Sequence, residues 1–167
     1  MTGTAFSEDV ATGFRRAMRR VASTVSVITA REGEERHGMT VTALTSVSME
    51  PPSLIVCINQ KTRLHALMLR ADMFCANVLT SQQEEQSRAF AGGVAGDLRF
   101  GVGDWAQDLP GFVYLADAQA NLFCRRSAFF SHGTHTVFVG AVERVRVRDA
   151  VSPLIYLDAA YRVASGA

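Results

Sequence analysis

The sequence has almost no lysine: of its 17 cationic side chains only Lys61 is one, which leaves 16 arginines. It also lacks net charge, since 17 cationic residues face 16 acidic ones for a sum of +1. That balance excludes a broad basic surface of the kind that holds nucleic acid or an anionic membrane, because such binding needs a clustered positive field. A single local anion site remains compatible with it. Cysteine is scarce. Cys57, Cys75 and Cys124 lie far apart with no C-x-x-C, which excludes a disulfide framework and a structural zinc site. Each sits in an apolar run and is expected to be a small buried hydrophobe. No stretch approaches the ~20 apolar residues of a membrane helix. Met1 to Arg20 has no apolar centre and carries Glu8, Asp9 and four arginines, so a cytoplasmic location is expected. The sequence also lacks a P-loop, G-x-S-x-G and H-E-x-x-H, and no G-x-G-x-x-G follows its first predicted strand.

What is present is an ordinary globular balance, 167 residues with 48% apolar and 20% charged. One domain over residues 1–167 is expected, with a core from about residue 10 to 163. Ser7, followed by two acids, predicts a helix cap, and Val10, Phe14, Met18 and Val21 recur at helical spacing. The spacing predicts an amphipathic helix laid on a core, with Arg15, Arg16, Arg19 and Arg20 on its other face. Thr24 to Ala30 alternates and is β-branched, which predicts a strand. Arg31 to Arg36 predicts a turn, and Gly38 to Ser48 a further strand. Ser53 to Ile58 is continuously apolar, the pattern of a central strand covered on both faces. Thr62 caps a short helix to Arg70, Phe74 to Leu79 is a strand, and Ser81 with Glu84 forms a capping box for a helix to Phe90. Ala91 to Gly111 predicts a long loop around Trp105. Strands are predicted over 118–130 and 136–148, and a closing segment over 154–163. Strands that follow one another without long helices predict an antiparallel sheet or barrel.

Three groups of residues invite a functional reading. Thr40, Thr42, Thr45, Ser46 and Ser48 fall within eleven residues. They satisfy strand propensity, which composition alone favours, or they form a row of hydroxyls for a flat polar ring. Asn59 to Arg63 follows a strand and opens a helix. It is a capped helix with a surface arginine, or a phosphate grip in which the Arg63 fork takes two oxygens. His132 and His135 flank a turn, with no Cys, Asp or Glu nearby to complete a metal set, so no metal is expected. His135 opens a strand, where an imidazole can hydrogen-bond a ligand.

Taken in order, TVSVIT, HGMTVTALTSVSMEPPSLIVCIN, FCANVL, RAF, DLRF, GDW, GTHTVFVGAVE and PLIYLDAAY resemble the short-chain flavin reductase family over Phe14 to Tyr161. The resemblance implies a mainly β fold with short helices, an antiparallel split β-barrel of the FMN-binding type. It implies an NAD(P)H-dependent reductase that supplies reduced FMN or FAD to a partner oxygenase, and a homodimer. By resemblance Thr42, Ala43, Ser46, Val47 and Ser48 contact the flavin ring. Asn59, Thr62 and Arg63 hold its phosphate, Phe90 packs near it, and His135 and Tyr161 lie near the nicotinamide. The sequence departs from the family at Ala43, Ala89, Thr134 and Asp158. Asp158 stands where an arginine is common and a carboxylate repels a 2′-phosphate, so NADH is expected over NADPH. The other readings are a non-catalytic flavin- or haem-binding protein of the same fold, and a reductase of corrinoid or pyrimidine metabolism.

Overall fold

The computed structural model describes residues 9–164. The predicted cap Ser7 lies outside the described residues. The observed cap of helix α1 (Val10–Met18) is Asp9, whose carboxylate accepts the Ala11 and Thr12 amides at 3.2 and 3.0 Å. Strands β1 (Ser23–Thr24), β2 (Ser26–Glu32), β3 (Glu35–Val41), β4 (Leu44–Met49) and β5 (Pro52–Asn59) follow. Helix α2 (Arg63–Met68), strand β6 (Met73–Val78) and helix α3 (Glu84–Arg88) come next, then two helical turns over 89–93 and 96–101. Short strands β7 (Trp105–Ala106) and β8 (Tyr114–Leu115) precede the long hairpin β9 (Ala120–His132) and β10 (His135–Val147). The hairpin β11 (Leu154–Leu157) and β12 (Ala160–Val163) ends the described chain.

Seven strands form one antiparallel sheet in the order β3-β2-β6-β9-β10-β5-β4. Its two edge strands, β3 and β4, are neighbours in sequence and are joined only by Thr42 and Ala43. Flat, the sheet would hold its edges ~29 Å apart at the usual strand spacing, whereas the link from Val41 to Leu44 reaches at most ~11 Å. The sheet must therefore curl until its edges meet, which makes an antiparallel barrel split between β3 and β4. The expected fold class holds.

Ile28, Leu54, Val56, Ile58, Phe74 and Phe138 point into the barrel and are almost wholly buried. Leu64, Leu67 and Met68 of α2 close one end of it. Gly140 is required beneath Phe74, because a Cβ there would stand 2.5 Å from the ring. A second layer lies outside β2, where Val25, Val27, Leu79, Phe90 and Leu115 pack together. Asn77 fastens this layer to the sheet. Its amide donates to the Val27 carbonyl at 2.8 Å, and its carbonyl accepts the Leu115 amide and the Asn121 side chain, each at 2.9 Å.

Several expectations need correction. Gly38 to Ser48 is two strands at opposite edges of the sheet, not one. Ser53 to Ile58 is not the doubly covered centre. Burial in β5 alternates, and the strand lies next to the β4 edge. The strands covered on both faces are β2 and β6, whose polar residues Ser26, Thr29 and Asn77 are wholly buried. Cys75 and Cys124 are buried as expected, but Cys57 faces outward on β5 and is half-buried. The capping box does not form, since α3 starts after Gln83 and the Ser81 hydroxyl bonds Ser152 at 2.7 Å. Helix α1 buries no residue. Val10 and Phe14 remain 83% and 66% exposed, because periodicity marks an apolar stripe without specifying what covers it.

Asn77→Leu should destabilise the chain by about 3 kcal/mol, because it strands the Leu115 amide in the interior and leaves the Asn121 side chain only its bond to the Leu115 carbonyl. Urea unfolding should show a lower midpoint with an unchanged slope.

Candidate functional site

The open end of the barrel, opposite α2, holds a cavity of about 550 Å3. Its walls are apolar, among them Leu44, Leu54, Leu122 and Val142, and its rim carries the hydroxyl residues Thr42, Thr45, Ser46 and Ser48. On its floor the Ser26 hydroxyl is fully buried and has no hydrogen-bond partner. An orphaned buried hydroxyl is costly unless something bonds to it, so it marks a place prepared for a polar ligand atom. Size, apolar walls and a few convergent polar groups fit a planar heteroaromatic ring.

Strand β4 supplies the rim because it is an edge. Thr42, Thr45 and Ser46 are exposed there, while Ser48 is held by its own turn, with its hydroxyl 3.0 Å from both the Glu50 amide and the Glu50 carbonyl. The pairing of β4 with β5 slips between Ser46 and Ser48, so Val47 is the extra residue of a bulge and stands 57% exposed. Ala43 extends the ladder through its carbonyl, which accepts the Cys57 amide at 3.1 Å. Thr40 belongs to β3 and is spent on the Ser87 carbonyl at 2.6 Å.

A second group forms at the α2 end. Asn59 pairs with His135 across β5 and β10. The Asn59 side chain accepts the Lys61 amide at 2.9 Å, and Thr62 donates to the Asn59 carbonyl at 2.8 Å while capping α2 at the His65 amide. These side chains build the turn, and Arg63 leaves it exposed to solvent. The His135 ring lies 2.9 Å from the Thr134 hydroxyl. His65 is structural, with its ring 2.9 Å from the Thr136 hydroxyl.

Two neighbours of Arg63 lie in blocks that carry the family resemblance, but their sequence positions do not place them beside it. Its charge is felt by Arg99 and by His37. Arg99 is held by the Gly38, Val94 and Gly96 carbonyls at 2.9 to 3.1 Å, so its cation is fixed in place. Only the fold brings the 99 loop beside β3 and α2.

The remaining two expected residues lie elsewhere. Phe90 is 1% exposed, packed against Phe100, Trp105 and Gly38, and takes no part in the cavity wall. Its role is packing in the outer layer. Tyr161 bonds Ser87 at 2.8 Å and packs on Tyr156, with the Arg88 guanidinium 4.9 Å from its ring centre. Arg88 is also spent on Glu84 at 2.6 Å. Among the described residues no cluster of His, Cys, Asp or Glu could hold a metal. No helix among them is long and apolar enough to cross a membrane.

The profile of the flavin reductase like domain matches residues 18–165. A protein of Rhizobium sp. (strain MTP-10005), the reductase component of an FADH(2)-dependent resorcinol hydroxylase, is 50% identical over 96% of this chain and 90% of its own length. An FMN reductase (NADH) of Methylorubrum extorquens, RutF 1, is 36% identical over 91% of this chain and 76% of its own. Among solved structures, the NADH:FAD oxidoreductase SgcE6 of Streptomyces globisporus superposes with a TM-score of 0.89 at 26% identity, covering 99% of this chain and 100% of that one.

Burial lowers the pKa of His37 from 6.5 to about 4, helped by the charges of Arg99 and Arg63. The folded chain keeps this ring neutral where the unfolded chain protonates it. The stability it contributes is complete above pH 6.5, is lost as pH falls towards 4, and changes no further below that. His37→Gln should flatten this segment of the stability profile in urea titrations at stepped pH.

Proposed function

This chain belongs to the flavin reductase like domain family, and from that premise we propose that it is an NADH-dependent flavin reductase, taking FMN or FAD. The observation that carries the reading is the hydroxyl-rimmed cavity with the unpartnered Ser26 at its floor. Held there, a flavin would supply the redox chemistry, with its N5 as the acceptor of hydride from nicotinamide C4.

The chain's own part is positioning. Leu44, Leu54, Leu122 and Val142 exclude water from the faces of the ring, and Thr42 and Thr45 with the bulged β4 backbone offer donors to its polar edge. Ala43, beside Thr42 on the rim, bonds the Cys57 amide, and from there β5 runs two residues to Asn59, ~7 Å at strand rise. A phosphorylated tail laid along it ends at the Thr62 turn, where Arg63 grips the phosphate through paired donors and Arg99 adds a fixed positive charge. His135, paired with Asn59, stands at this phosphate end of β5 and not beside the rings. Asp158, exposed in the β11–β12 turn, disfavours a 2′-phosphate and so favours NADH.

Met49 and Val145 line the cavity, yet are 78% and 52% exposed. A second copy of the chain over this mouth would bury them and complete the cavity, so we assign a homodimer. Sedimentation should give twice 18.1 kDa, and Val145→Asp should shift the chain to monomer and weaken flavin binding. The reduced flavin then serves an oxygenase partner.

Purified protein should oxidise NADH only when FMN or FAD is added, followed by loss of the nicotinamide absorbance. Flavin binding without that loss would favour a non-catalytic binding protein. Arg63→Ala should weaken flavin binding by about tenfold, the worth of one charge-assisted phosphate contact.

A further inference from the structure

A second cavity, of about 410 Å3, adjoins the first and shares Ser23 and Thr42 with it. Its walls come from the end of α1, with Arg15, Met18 and Arg19, and from the C-terminal hairpin, with Tyr156, Asp158 and Ala159. This chamber is built with some precision. Asp158 and Ala159 both take left-handed backbone angles, φ 49° and 59°, which non-glycine residues seldom adopt. The tip they form is anchored to the helix by the Asp158 amide, which donates to the Arg19 carbonyl at 2.8 Å. Arg15 and Arg19 stand four residues apart, on one face of the helix, and both are exposed. Among the described residues neither makes an ion pair, although Asp158 lines the same chamber. Like charges at this spacing repel one another, which offsets the favour a helix C-terminus gives each cation.

Resting on the flavin reductase reading, the geometry points to a clamp: Arg15 and Arg19 hold the pyrophosphate of the reduced dinucleotide. The nicotinamide must stack on the flavin in the first cavity, and the rest of the donor needs a way out beside it. Through Thr42 and Ser23 that way leads into the second chamber. The pyrophosphate carries two negative charges, and two adjacent guanidinium forks match them. The clamp touches neither ring. It therefore acts on capture of the donor and leaves the hydride step alone.

The test compares two electron donors with saturating FMN in the full chain and in the Arg15→Gln/Arg19→Gln variant. NADH carries the pyrophosphate; benzyl dihydronicotinamide carries no phosphate. The variant should raise KM for NADH about tenfold with little change in kcat. The rate with the phosphate-free donor should be the same in both proteins. An unchanged KM for NADH overturns the clamp, and so does an equal loss with both donors, which would report a structural role. If the unaltered protein oxidises neither donor, the flavin reductase reading fails and takes the clamp with it. If it oxidises NADH and the variant does so equally well, only the clamp fails.

Discussion

The two-residue link of Thr42 and Ala43 is the constraint on which the rest of the molecule depends. It ties the opposite edges of a seven-stranded sheet to each other, and so forces the sheet to close. A two-residue link is short enough for a paired hairpin, yet β3 and β4 do not pair with one another. Strand β4 pairs with β5 alone and keeps its other side free. An unpaired edge is ordinarily a hazard, since it offers backbone donors and acceptors to any passing chain. Here the hazard is contained by a bulge at Val47, by hydroxyl side chains, and by the short length of the strand. The same features make the edge a surface that can recognise a polar ring.

Closure also explains the distribution of polar groups inside. Strand β2 is packed on both sides, yet it contains Ser26 and Thr29. Such residues are costly in an interior unless each finds a partner. Thr29 and Asn77 are satisfied by one another and by the backbone of the outer layer, which they lock in place. Ser26 stands on the opposite, barrel-facing side of the same strand and has no partner. The contrast between two satisfied polar side chains and one unsatisfied neighbour separates architecture from site within a single strand.

Much of the fold is legible in the sequence. Alternation marks β2, β6, β9 and β10, and the position of Thr62 marks the cap of α2. The split of Gly38 to Ser48 is not legible, because Thr42 and Ala43 are not turn residues. They cross between strands only because the sheet returns to meet them. The Ser81 box is sound locally but loses to tertiary contacts: Gln83 takes the Thr80 amide at 2.9 Å, and Ser152 takes the Ser81 hydroxyl. For α1, the apolar spacing forms the helix but not its expected burial, since a periodicity names a face and never its partner. Of the candidate site, Thr42, Ser46, Ser48 and the Asn59 to Arg63 turn carry local signals. Arg99, Ser26 and His37 lie in blocks that carry the family resemblance, but their sequence positions do not place them there, because they join the site through loops and strand faces distant in sequence.

The even charge balance takes on a more particular meaning in three dimensions. Arg63 and Arg99 lie at the plugged end of the barrel, whereas Arg15 and Arg19 lie on the helix beside its open end. Thr42 belongs to the walls of both cavities and lies between these two cationic groups. Two anionic ligands whose tails are drawn to opposite cationic poles can bring only their neutral rings together between them. Repulsion between their phosphates then favours the arrangement in which the rings meet near Thr42. A uniformly basic surface would attract both ligands as strongly and orient neither. Separation of a few arginines on an almost neutral protein supplies direction, which net charge cannot, and their planar forks add the geometry that a lysine would lack.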